Sequence, residues 1–253
     1  MKEAATLNFD QAKKLAIQNG ERELGKITVQ SKNEPEVVKF YTGLYHALLG
    51  RGVASDINGD YPQHEGKIGH LKRAPSGKLY NFINTDAIWG GYWDLTQLWS
   101  LAYPDFYEDF IHTQLQLYRD KGWFGDGVAN SEYVSGVGTN FVGLAIAAAY
   151  QAGIRDYDVN EAYKAIRANE LEWRNRKFGS GKMDVKAFVK YGYVPFLEYK
   201  GGDFITDSTG SDFSASHTLE YSFSAFAAAQ MAKNLGKTGD YKKLIKYSNG
   251  WRL

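Results

Sequence analysis

The densest grouping of residues able to do chemistry is the stretch NTDAIWGGYWDL, residues 84–95. On a helix, Trp89 and Trp93 are one turn apart and share a face, and Asp86 lies on that face too. Two indoles beside a carboxylate suit a saccharide: the rings stack on the apolar faces of a pyranose and the carboxylate oxygens accept its hydroxyls. The same residues would also make a capped helix with two core tryptophans. Gly90 and Gly91 weigh toward a site. Each costs about 1 kcal/mol in a helix relative to Ala, so a close approach to the backbone is expected there.

A second group lies in FSASHTLEYSFSAFAAAQMAK, residues 213–233, where His217 and Glu220 put an imidazole and a carboxylate on one face of an otherwise apolar helix. A third is SDINGDY, with Asp56, Asn58 and Asp60 at alternate positions. The spacing starts like a calcium-binding EF-hand loop, but Tyr61 stands where that loop needs Gly and Lys67 where it needs Glu, so an Asx-turn ahead of a hairpin is the better reading. The Gly-rich segment GWFGDGVANSEYVSGVGTN, residues 122–140, carries Asp126, Asn130, Glu132 and Asn140. It lacks phosphate-loop spacing; it either lines a pocket or only turns the chain. No nucleophile elbow and no H-E-x-x-H occur, and the five histidines show no pairing one helical turn apart, which argues against a His-based metal site.

The elements that must position these residues read as helices. Asn8 or Asp10 can cap the first, and Pro35 opens the second, whose apolar residues from Val37 to Leu48 recur at helical spacing until Gly50 and Gly52 stop it. Residues 51–85 read as a long loop with a small hairpin, its turns marked by Asn58-Gly59 and Ser76-Gly77. Helical patterns follow over AIWGGYWDLTQLWSLAY, DFYEDFIHTQLQLYRDKG, TNFVGLAIAAAYQAG, DVNEAYKAIRANELEWR, MDVKAFVKYG, the stretch around His217, and GDYKKLIKYSNGW. That makes eight or nine helices without βαβ alternation. FVGLAIAAAY is apolar all round, as a helix buried on both sides must be, whereas DVNEAYKAIRANELEWR carries a charged face. Such alternation suits a double-layered helical toroid, and a plain helix bundle as well.

The 253 residues are 43% hydrophobic with a formal net charge of +1, so neither nucleic acid binding nor an acidic tail is indicated. With no cysteine, disulfides, thiolate nucleophiles and Cys-based zinc sites are excluded. The start, MKEAATLNFDQ, does not read as a signal peptide, and the longest apolar run is shorter than the roughly 20 residues a bilayer requires. Aromatic residues make up 15% of the chain, which fits sugar binding or a large aromatic core.

The stretches FYTGLYHALLGRGVASDINGDY, NTDAIWGGYWDLTQLWSL, GIRDYDVNEAYKA, YGYVPF and, above all, HTLEYSFSAFAAAQMAKNLGKTGDYKKLIKYSNGW together resemble glycoside hydrolase family 92, in consistent order over nearly the whole chain. The resemblance implies an all-α fold: an incomplete (α/α)6 toroid with a long loop and a small β-hairpin insertion, residues 1–33 being a lead-in helix and 34–253 the first two-thirds of the toroid. It implies exo-acting removal of terminal α-linked mannose from glycans with inversion, in which a general acid and base stand about 6.5–9.5 Å apart. It further implies a calcium ion on the sugar hydroxyls, a preceding β-sandwich, and an extracellular or periplasmic location. The motifs that carry the family's acid, base and principal calcium ligands do not occur among these residues, so little activity is expected of the chain alone.

For the residues present, the resemblance implies a sugar-facing wall. Trp89 matches the Trp of the family's Trp-Asp pair, and Gly90 stands in place of its Asp, leaving Asp86 and Asp94 one turn away as substitutes. Asp56, Asn58 and Tyr61 match a further family stretch in which Pro62 replaces Arg, and Trp93, His217 and Glu220 complete the candidate substrate contacts. Two other readings stand beside this one. A non-catalytic carbohydrate-binding helical domain would keep the tryptophans as a platform. Another (α/α)6 glycosidase would need its two carboxylates among Asp56, Asp86, Asp126 and Glu220. An open toroid would also expose apolar helix faces and promote self-association.

Overall fold

The computed structural model describes residues 7–49, 52–84, 88–129, 131–134, 140–176, 179–198 and 209–252. They are mostly helical, as the sequence reading expects. The chain divides into two compact units, Met1–Gly50 and Arg51–Leu253. Both opening helices therefore belong to the first unit.

The first unit holds α1 (Phe9–Leu24) and α2 (Glu34–Leu48). Asn8 caps α1 through a reciprocal capping box: its side chain accepts from the Gln11 N–H at 2.9 Å, and the Gln11 side chain accepts from the Asn8 N–H at 2.9 Å. Pro35 occupies the first turn of α2, where its missing N–H costs nothing.

The second unit begins with strands β1 (Asp60–Pro62) and β2 (Ile68–His70), paired antiparallel with Tyr61 opposite Gly69. The hairpin exists, but its turn is not at either expected dipeptide. Glu65 and Gly66 make it, both with positive φ, as the twist of a tight hairpin requires. Asn58 instead closes an Asx-turn that launches β1, its Oδ1 accepting from the Asp60 N–H at 3.1 Å. A second hairpin, β3 (Gly127–Ala129) with β4 (Glu132–Val134), lies in the Gly-rich segment and was not anticipated.

The single helix expected over residues 87–103 is two: α3 (Ile88–Tyr92) and α4 (Leu95–Ala102), broken at Trp93-Asp94. Among the described residues nothing makes the close approach expected at Gly90, where a Cβ would meet open space. Then come α5 (Pro104–Lys121), α6 (Phe141–Gln151), α7 (Val159–Leu171), α8 (Val185–Tyr191), α9 (Ser214–Asn234) and α10 (Thr238–Tyr247). Gly122 and Gly192, both left-handed, end α5 and α8. Eight of the eleven residues of α6 are buried, as its all-round apolar sequence requires. Helix α9 packs against α6, α7 and α10.

Candidate functional site

Residues 179–184 are held between α7 and α9. On α9, His217 and Tyr221 are one turn apart and face inward. The His217 Nδ1 hydrogen bonds to Asp184 Oδ2 at 2.6 Å, and the Met183 N–H donates to the Tyr221 hydroxyl at 3.1 Å. Because an ionised carboxylate only accepts, the imidazole proton facing Asp184 sits on Nδ1. Asp184 occupies the N-cap position of α8 yet makes no side-chain cap bond, its carboxylate being committed to His217.

From the other side, Glu170 of α7 accepts from the Lys182 ammonium and from the Asn140 amide, all three groups being buried. Asn169 next to it bonds both backbone groups of Phe124, donating at 3.1 Å and accepting at 3.2 Å. Arg176, also buried, donates to the carbonyls of Ser180 at 2.8 Å and Asn169 at 2.9 Å and lies over the Trp123 ring. The Asp126 N–H donates to the Gly179 carbonyl at 2.9 Å. Burial pushes the Lys182 ammonium below its ordinary value, and Glu170 opposes that shift. One polar network thus fixes the approach to α6, the start of β3, the 179–184 segment and α9 against each other.

Glu220 lies one turn beyond His217 and is half-buried. Its Oε2 is shielded from solvent and makes no hydrogen bond among the described residues. Burial raises its carboxyl pKa; His217 pulls it back down, and Asp126 pushes it further up. That electrostatic coupling brings Glu220, His217 and Asp126 into one neighbourhood.

Trp93, 62% exposed, lies at the break between α3 and α4 and stacks on Phe223 of α9, ring centroids 6.5 Å apart and planes 18° from parallel. Tyr92 and Phe141 brace the same pair. Asp94 is exposed, and its carbonyl accepts from the Leu98 N–H at 3.1 Å at the start of α4. Trp93 and the His217–Glu220 turn of α9 are therefore the sequence candidates that the fold brings to one helix. Asp86 and the Trp89 side chain lie outside the described residues, as does Asn130.

Asp56, Asn58 and Tyr61 form a different set. Asp56 and Asn58 are exposed in the turn before β1, and the Asn58 amide donates to Asp60 at 2.7 Å. Tyr61 is buried, stacked on Phe82 with centroids 4.7 Å apart. Its hydroxyl donates to Asp120 at 2.5 Å and accepts from Gln116 at 3.0 Å. Burial and the Asp120 carboxylate both raise its pKa, so the phenol stays protonated and its polar end is fully engaged. These three residues serve the hairpin and its seat on α5.

The network residues Glu170, Lys182, Arg176 and Asp184 carried no sequence signal as a site. Glu170 reads as part of the charged face of α7, and Lys182 as a loop lysine; only the fold shows both to be inside. Among the described residues no group of three or more His, Asp or Glu side chains could hold a metal ion. The calcium ion implied by the sequence resemblance thus finds no ligand set in them.

No curated protein sequence matches the chain. Solved structures do. A family GH92 α-mannosidase from Bacteroides thetaiotaomicron in complex with mannoimidazole aligns with 99% of this chain at a TM-score of 0.82 and 21% identity, with 30% of its own length covered. A family GH92 inverting mannosidase from the same species aligns with 99% at a TM-score of 0.82 and 19% identity, with 32% of its length covered. A further family GH92 glycosyl hydrolase aligns with 98% at a TM-score of 0.68 and 17% identity. At these identities the likeness is one of fold, in keeping with a segment of a helical toroid. The chain spans about 30% of the length of the first of these structures. The model of the glycosyl hydrolase family 92 catalytic domain matches residues 1–253. From first residue to last, then, the chain belongs to glycosyl hydrolase family 92.

Proposed function

We propose that the chain is part of an α-mannosidase that removes terminal α-linked mannose from glycans with inversion and with the help of calcium, outside the cytoplasm. The observation that carries this reading is the match of 99% of the chain, within a family 92 catalytic domain, to mannosidases, one of them bound to mannoimidazole and another described as inverting. The residues of this chain assigned to the sugar are Trp89, Trp93, Asp86, Asp94, His217 and Glu220.

Their physical chemistry supports the assignment. The exposed Trp93 ring offers a face for a pyranose, held in place by Phe223. Burial raises the Glu220 carboxyl pKa, and its shielded Oε2 makes no hydrogen bond among the described residues, which leaves that oxygen to meet a sugar hydroxyl. Asp184 orients His217 and fixes its tautomer, so that the turn carrying Glu220 is presented from a rigid base. Calcium, when bound, would polarise and orient sugar hydroxyls; the described residues offer it no group of three or more His, Asp or Glu side chains. Asp56, Asn58 and Tyr61 are left to the hairpin for the reasons given above.

The 253-residue chain, incubated with an α-1,2-linked mannobiose and calcium, is expected to release no mannose, because the family's acid and base motifs do not occur in it. Release of mannose would contradict this reading. It would place the two carboxylates among Asp56, Asp86, Asp126 and Glu220, which single alanine substitutions would then separate.

A further inference from the structure

His217 is held on three sides. Asp184 Oδ2 meets its Nδ1 at 2.6 Å, and both side chains are nearly closed to water. Tyr221 stacks on the imidazole with centroids 5.2 Å apart and planes 21° from parallel, and the Phe213 ring lies against it at 5.5 Å. These contacts keep the imidazole turned toward the carboxylate. Glu220 follows three positions later on α9, so its side chain neighbours His217 along the helix. Burial favours the neutral acid at Glu220; His217 opposes this, and Asp126 adds to it. The other charges around this turn are paired or face water. Helix α6 carries none. Glu170 of α7 is paired with Lys182, which lies over the Tyr221 ring at 4.9 Å. On α8, Lys190 is exposed and Lys186 half-buried. Asp94 beside Trp93, Asp212 ahead of α9, Arg252 and the lysines of α10 are exposed, and Asp240 bonds Tyr163 and Arg167.

A carboxylate bonded to an imidazole favours the imidazolium, and an imidazolium favours a neighbouring carboxylate over its acid. We propose that Asp184 is a positioning residue that acts through His217 to hold Glu220 as a carboxylate, the form whose two oxygens both accept from sugar hydroxyls. The last step rests on the assignment of Glu220 to the sugar made above. The sign of the effect separates this role from a structural one. Asp184 is itself an anion, so its direct influence favours the neutral acid at Glu220, and its removal would favour the carboxylate. Loosening of the turn would admit water and do the same. Loss of the imidazolium drives Glu220 the other way, toward the neutral acid.

The test is a pH titration of the Glu220 carboxyl carbon by NMR on the 253-residue chain, with Glu220→Gln identifying its signal. Asp184→Asn keeps an acceptor for the Nδ1 proton and is expected to raise the Glu220 midpoint by about one pH unit. His217→Gln is expected to raise it as well, and Asp184→Asn added to His217→Gln to raise it no further. Asp184→Ser, read the same way, replaces Asp184→Asn if that variant does not fold. Tryptophan emission with methyl α-mannoside then reads the sugar, and the pH midpoint of binding is expected to rise with that of Glu220. A Glu220 midpoint that stays or falls in the Asp184 variant overturns the proposal, as does a rise that persists in the His217→Gln background. A chain that binds no mannoside contradicts the assignment of Glu220 to the sugar; the link from Asp184 to Glu220 is then decided by the NMR midpoint by itself.

Discussion

Lys182 and Glu170 meet with almost no access to water. Taking both charges out of water costs several kcal/mol, so such a pair contributes little net stability over an apolar pair of the same size. Removing one partner is another matter. Lys182→Met takes away the ammonium that the buried Glu170 faces and is expected to lower stability by about 3–5 kcal/mol, while adding Glu170→Leu is expected to recover most of that loss. Urea unfolding of the two variants measures both. His112 responds to pH. Burial pushes its imidazole below the ordinary value of 6.5, where it stacks on Tyr80 and bonds the Asp156 carbonyl. Between the lowered value and 6.5 the unfolded chain binds more protons, so this contribution to stability is complete above 6.5 and shrinks as pH falls. His112→Gln is expected to flatten that part of the stability–pH curve, and an unchanged slope would remove His112 from the account. At this scale the sequence was only partly informative. The type and spacing of His217, Glu220 and Trp93 marked polar and aromatic stretches far apart in the chain, and Trp93 does stack on the helix that carries the other two. Nothing local distinguished Lys182 from a surface lysine, because its burial is decided by α7 and α9, which are distant from each other in sequence.

Helices were largely legible because their ends carry backbone chemistry. Asn8, Pro35, Pro104, Gly122 and Gly192 each sit where a missing donor, a cap or a left-handed residue starts or stops a helix. The hairpin was legible only in outline. Asn58-Gly59 is a stronger turn signal than Glu65-Gly66, but the Asn58 side chain spends itself on the Asx-turn, and the hairpin turn falls further on, between the paired strands. The break between α3 and α4 was hidden because both halves share one helical pattern. Pairing in β1–β2 depends on Gly69, which lies under the Tyr61 ring. A Cβ there would overlap that ring, so Gly69→Ala is expected to cost about 1–3 kcal/mol through displacement of Tyr61 from Phe82 and Asp120. A thermal melt of the variant reports it, and a melt equal to that of the unsubstituted chain would show that the strand can shift freely.

Taken whole, the chain belongs to family 92, and its fold brings Trp93, at the break between α3 and α4, onto the helix that carries His217 and Glu220. No helix among the described residues is long and apolar enough to cross a membrane. Family membership was readable because many ordered stretches, ending in the long run from His217 to Trp251, agree at once; no single motif would have sufficed. The central claim is that Trp93 and the His217–Glu220 turn belong to a mannose-facing wall. Titration of the chain with methyl α-mannoside, followed by tryptophan emission, tests it most directly. The expected result is a saturable change within tens of millimolar that Trp93→Ala abolishes. No change over that range, or a change that survives Trp93→Ala, would contradict it.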